Sequence, residues 1–134
     1  MLQTITYRDI LNTRLVFTKF LKTELPFETS RKIQIFLDES SFILRAYRSG
    51  EKEILDKYAK RDDNGNIIFN EENNLKSVTI LEDKVKEFHE EINKLLDTDC
   101  RWHLDEDTYF VDSDFENLKC TPEEVKMIDW IILS

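Results

Sequence analysis

Glycine and proline are scarce: two of each in 134 residues. Two isolated glycines cannot build a G-x-G-x-x-G turn or a P-loop, so neither nucleotide motif is present. So little turn material also argues against an all-β fold. No apolar run approaches the roughly 18 residues that a membrane-spanning helix needs; the stretch Met127–Leu133 is short and interrupted by Asp129. Met1-Leu2-Gln3-Thr4 lacks the basic and apolar regions of a signal peptide, so a cytoplasmic location is expected. With two cysteines and that expectation, Cys100 and Cys120 read as free, buried thiols. Positive charge is also short. Against 28 acids stand 19 bases, for a net charge of −9. A whole-molecule affinity for nucleic acid or an anionic membrane is therefore not expected.

What remains is a chain with 40% hydrophobic and 35% charged residues. That composition is globular, and the length suits one domain over residues 1–134. The charge is uneven. Residues 1–61 hold 12 basic and 8 acidic side chains, and residues 62–134 hold 7 and 20. Two solvated faces explain this, and so does an acidic surface for a basic partner.

Apolar periodicity dominates the pattern. Thr6 with Asp9 forms an N-terminal capping pair, and Ile10, Phe17 and Phe20 follow at helical spacing. The first helix is expected over about 7–24, ending before Pro26. Thr29 or Ser30 caps a second helix, over about 30–60. Its seam, Ile33, Phe36, Ser40, Ile43, Tyr47, Gly50 and Ile54, steps 3-4-3-4-3-4. Gly50 is its weak point. Asp63-Asn64-Gly65 marks a tight turn, Asn70–Asn74 a loop, and Val78, Leu81, Val85, Phe88, Ile92 and Leu95 a third helix over about 77–97. Thr121-Pro122-Glu123-Glu124 starts a last short helix, with Val125, Ile128, Ile131 and Ile132 on its buried face. The fold class expected is mainly α (α+β): an antiparallel helical bundle on one long helix, with a small β element near 67–69 and 101–111 and a short C-terminal helix.

Candidate chemistry is sparse. Asp62, Asn64 and Asn66 open like a calcium loop, yet Ile67 and Asn73 stand where that loop needs glycine and a bidentate glutamate. Cys100, His103, Cys120 and His89 are zinc-ligating types without two closely spaced pairs. No nucleophile, base and orienter form a set. No metal, cofactor or catalytic residue is therefore expected, and the chain reads as a non-enzyme. Eight acids and one base lie between Asp97 and Glu116. Within this segment Asp105, Glu106, Asp107, Asp112, Asp114 and Glu116 are the candidate partner-binding residues. They read either as a solvated surface or as a patch for a basic protein. A metal-dependent enzyme would have to use these same acids.

Several segments together are familiar: Lys57-Tyr58-Ala59-Lys60-Arg61-Asp62 closing the long helix, Asp63-Asn64-Gly65, Leu81-x-Asp83-Lys84-Val85-x-x-Phe88, and Leu118-x-Cys120-Thr121-Pro122-Glu123-Glu124. In this layout the chain resembles small, mainly helical proteins of unknown function from tailed bacteriophages. The resemblance covers most of the chain and implies a phage origin, in host cytoplasm or virion. It carries over no site residue. The function expected is protein binding as a virion component or assembly factor, and a seam longer than one small bundle needs favours oligomers. The alternative is an acidic inhibitor that imitates nucleic acid toward a host defence or nucleic-acid enzyme.

Overall fold

A computed structural model describes residues 4–133; Met1–Gln3 and Ser134, and with them most of the N-terminal stretch read above, lie outside the described residues. The fold is mainly α. Its elements are α1 (Tyr7–Phe20), α2 (Phe27–Tyr58), β1 (Phe69–Glu72), β2 (Leu75–Val78), α3 (Val85–Leu96), β3 (Phe110–Val111), α4 (Pro122–Ile128) and β4 (Ile132–Leu133), with short 3-10 turns between. Two compact units divide the chain: residues 1–44 with 98–134, and residues 45–97.

In the first unit, α1 begins as expected. Thr6 Oγ1 accepts from Asp9 N–H at 3.2 Å, and Asp9 returns the bond to Thr6 N–H at 3.0 Å. The helix stops at Phe20, four residues earlier than the proline implies. Thr23 is the cause: its N–H and its hydroxyl both reach the Phe20 carbonyl, at 3.0 and 2.8 Å, the local bonding by which threonine competes with a helix. Pro26 then opens α2, its carbonyl accepting from Ser30 N–H. Thr29, expected as a cap, is buried inside the first turn and donates to the Asp114 carbonyl at 3.1 Å.

On the part of α2 that belongs to the first unit the buried residues are Thr29, Ile33, Phe36, Ser40 and Leu44. Ile43 is only half-buried, because the stripe follows the 3.6-residue period of a straight helix rather than a 3.5-residue heptad. Arg14 crosses from α1 to bond Ser40 Oγ (2.6 Å) and the Leu37 carbonyl (2.7 Å), and Phe17 meets Phe36 edge-on at 5.1 Å. These pairs run in opposite chain order, so the two helices are antiparallel. Phe17 is also 5.0 Å from Phe110 and 6.0 Å from Phe115, which makes it the hub of the core.

α4 carries the expected cap, with Glu124 N–H to Thr121 Oγ1 at 3.1 Å and Thr121 N–H to Glu124 Oε1 at 2.9 Å. The helix ends at Ile128. Ile131 is fully buried in a 3-10 turn, and Ile132–Leu133 form β4, parallel to β3. Consecutive β-branched residues favour that extended exit. Val125, expected inside, is 46% exposed. Of the stretch expected as strand at 101–111, only Phe110–Val111 pairs. Arg101 sits at φ 56°, with its N–H on Asp99 Oδ1, and the extended run is broken there.

The second unit takes the rest of α2, and the helix runs through Gly50 unbroken. Leu95 fills the space beside Gly50: a Cβ there would lie 3.0 Å from Leu95 Cδ2. Lys57 pairs with Glu91 at 3.1 Å and Tyr58 meets Phe88 edge-on at 6.2 Å. Read in order, these contacts set α3 antiparallel to α2. Asp62–Asn66 is the tight turn, with Gly65 at φ 83°. The segment read as a loop at 70–74 is instead a hairpin. β1 pairs antiparallel with β2 around Asn73 and Asn74, both at positive φ, as a two-residue hairpin turn requires. Residues 58–60 line up against it: Lys60 N–H reaches the Thr79 carbonyl, Ile68 N–H the Lys60 carbonyl, and Leu81 N–H the Tyr58 carbonyl. This ladder claims Ser77–Leu81, so α3 starts at Val85, not at 77. Val85 is 41% exposed.

Candidate functional site

The acidic segment is the outer side of an aromatic anchor. Phe110 is fully buried and stacks on Phe115 at 5.2 Å, and Phe115 lies 5.7 Å from Phe20. Asp112, between them, faces solvent because its aromatic neighbours face the core. Asp105, Asp107, Asp112 and Glu116 are exposed. Glu106 lies in the 3-10 turn Glu106–Thr108, and its side chain lies outside the described set.

Asp114 differs from the other acids. Its Oδ2 accepts from Val111 N–H at 2.8 Å and pairs with Lys32 at 2.9 Å, and Lys32 in turn stands 5.7 Å above the Phe110 ring. With Thr29 on its carbonyl, Asp114 fastens the turn Asp112–Phe115 to α2. It is a structural ligand for its own chain. Asp105 and Asp107 border a hollow of about 140 Å³ with Lys32, Ile35 and Thr108. Among the described residues, no group of three or more His, Cys, Asp or Glu is placed to hold a metal ion.

The other candidate ligands have local duties. Asp62 Oδ1 accepts from the N–H groups of Asn64 (2.9 Å) and Asn66 (3.0 Å), so the calcium-like spacing serves the turn itself. His89 lies edge-on to Phe88, ring centroids 5.4 Å apart. Cys100 and Cys120 are free and half-buried. Burial pushes both thiols above their ordinary value, aided by Asp99 at Cys100 and by Glu124 at Cys120. Raised thiols are poor nucleophiles near neutral pH.

Two carboxylates are held below their usual range. Glu91 is lowered by hydrogen bonds from Tyr58 and Lys57, and the same contacts raise Tyr58 and Lys57. Glu124 is lowered by Lys19 and by the Thr121 backbone. Each lies in an ion pair between helices, at Lys57–Glu91 and Lys19–Glu124, and each pair joins an exposed lysine to a half-buried glutamate. Such pairs contribute little to stability.

A different feature of the second unit has the character of a binding site. A groove of about 450 Å³ is lined by Leu55 from α2, by Val78 and Ile80 at the end of the hairpin, and by Phe88 and Ile92 from α3, with Glu51, Lys76 and Ser77 also on its walls. No residue of α3 is fully buried, although the helix is strongly two-sided. Leu81, Phe88, Ile92 and Leu95, expected in the core, are half-buried. The periodicity of α3 locates this apolar face. That the face is left partly uncovered depends on where the hairpin packs, and helical spacing carries no signal for that.

No family model, curated protein or solved structure matches this chain. Among the described residues, no helix is long and apolar enough to cross a membrane.

Proposed function

We propose that this chain is a non-enzymatic protein that works by binding another protein, and that the groove of its second unit is the binding site. In the phage setting that the sequence pattern implies, it serves as a virion component or an assembly factor. The observation that carries this reading is the partly covered apolar face of α3 opposite Leu55, Val78 and Ile80. Concave, largely apolar grooves with a few polar wall groups are the usual form of such sites. The fitting occupant is an amphipathic helix of the partner, presenting apolar residues at i, i+3 or i+4, and i+7. Binding driven by apolar burial is insensitive to salt, whereas an acidic patch imitating a phosphate backbone binds more weakly as salt rises.

Capture from a lysate of the source cell, at low and high salt, tests the reading. The native chain and Ser77→Arg are compared; Ser77 is an exposed groove residue, so the change blocks the groove without touching the core. A partner held by the native chain at high salt, and lost with Ser77→Arg, supports the groove. Binding that vanishes at high salt, ignores Ser77→Arg and is lost with Asp105→Asn plus Asp112→Asn would move the function to the acidic segment.

A further inference from the structure

The side of α2 opposite its core stripe has an order of its own. Within the first unit, Phe27, Arg31, Ile35, Asp38 and Phe42 are all exposed, Phe27 at 77%, Ile35 at 42% and Phe42 at 66%. They step 4-4-3-4 along the helix, and at about 100° per residue they fall in one sector roughly 80° wide. Thr29, Ile33, Phe36, Ser40 and Leu44 point the opposite way into the core. A solvent-facing helix side is normally polar. This one repeats a large exposed apolar residue every two turns, with one charged residue of the stripe between each pair.

The stripe reads nearly the same in both directions: aromatic, cation, aliphatic, anion, aromatic. A two-fold axis crossing α2 between Gln34 and Ile35 carries Phe27 onto Phe42 and Arg31 onto Asp38. An isologous interface demands this self-complementarity, since each residue must meet its counterpart twice. A parallel arrangement would set Arg31 against Arg31 and Asp38 against Asp38, and like charges in register repel. Asp38 is already aligned along the stripe by Gln34, which donates to its carboxylate at 3.1 Å.

We propose that this face of α2 docks a second copy of the chain as an antiparallel homodimer, Phe27 against Phe42 and Arg31 against Asp38 of the other copy. The oligomer seam expected from the sequence is consumed by the core; the dimer uses the opposite side. The exposed parts of two phenylalanines and an isoleucine bury on the order of a few hundred Å² per copy in total, short of the roughly 800 Å² per partner of a standard interface. The dimer is accordingly weak and concentration-dependent, with the charge pairs setting its register. It does not involve the groove, so Ser77→Arg leaves it unchanged.

Sedimentation velocity of the full chain from about 1 μM to about 1 mM tests this. The mass should rise from 16.1 kDa toward twice that value. Arg31→Glu alone and Asp38→Arg alone should each remain monomeric where the native chain is dimeric. Mixing these two variants should restore the dimer, because every cross-pair is then of opposite charge, and the double variant should dimerise by itself. All these positions are exposed, so thermal melts should match the native chain. A native chain monomeric throughout, or a dimer indifferent to the single reversals, or a mixture that stays monomeric, would each overturn the proposal.

Discussion

Threonine hydroxyls do much of the joining in this protein, and the exception among them is informative. Thr6 and Thr121 cap helices. Thr13, fully buried, donates to the Met127 carbonyl at 2.9 Å and accepts from Trp130 Nε1 at 2.8 Å, tying α1 to α4 and the turn after it. Thr29 does the same for the acidic segment. Thr79 Oγ1 is buried with no hydrogen-bond partner. A buried polar atom without a partner costs about 1–3 kcal/mol. Thr79→Val replaces that hydroxyl with a methyl of nearly the same shape, at an extended position where β-branching is favoured. Stability should rise by about 1 kcal/mol, read as a higher midpoint in urea with an unchanged slope. A lower midpoint would mean that the hydroxyl is bonded after all.

Among the elements, α2 is the most revealing, because its 32 residues cross the one glycine that its sequence makes suspect. Glycine in a helix interior is about 1 kcal/mol worse than alanine. Here it makes room for Leu95, whose two methyl carbons would sit 3.0 and 3.2 Å from an added Cβ. Leu95 is half-buried and its end is flexible, so a shift of a few tenths of an ångström relieves the contact. Gly50→Ala should therefore stabilise the protein by less than about 1 kcal/mol. Gly50→Leu has no such relief and should destabilise by about 1–3 kcal/mol. Thermal melts of both variants decide it, and two losses of equal size would contradict the geometry.

What could be read in advance at this scale was what neighbours in sequence determine. The Thr6–Asp9 and Thr121–Glu124 caps and the single long helix are local. The start of α3 was illegible for a specific reason. Val78 and Leu81 fall in phase with the α3 stripe, yet Val78 pairs across a hairpin with Phe69, and the Leu81 N–H reaches the Tyr58 carbonyl. The pairing of Phe110–Val111 with Ile132–Leu133 spans a stretch of chain that no local pattern encodes. The acidic segment could be located but not interpreted, because Asp114 takes its role from Lys32 and Thr29, far away in sequence.

For the molecule as a whole, the two units differ in how far their interiors are closed. The first has Ile10, Phe17, Phe20, Ile33, Phe36, Phe110 and Ile131 all at 2% exposure or less. In the second, the buried apolar residues among those described are Tyr47, Tyr58 and Ala59, each 6–9% exposed, while α3 has none. Local opening free energy follows buried apolar contact, so amide hydrogen exchange should be uneven along the chain. Amides of α3 in residues 89–96 should exchange at least about tenfold faster than those of α1 in residues 11–20, a difference of about 1.4 kcal/mol. The same experiment bears on the groove. A helical partner seated on Phe88 and Ile92 binds only the closed form, so it should slow exchange in α3 in proportion to its free concentration over Kd, and should leave α1 nearly unchanged. Equal protection of α1 and α3 in the free chain would mean that the face is not short of contacts, and the groove would lose its physical reason to bind.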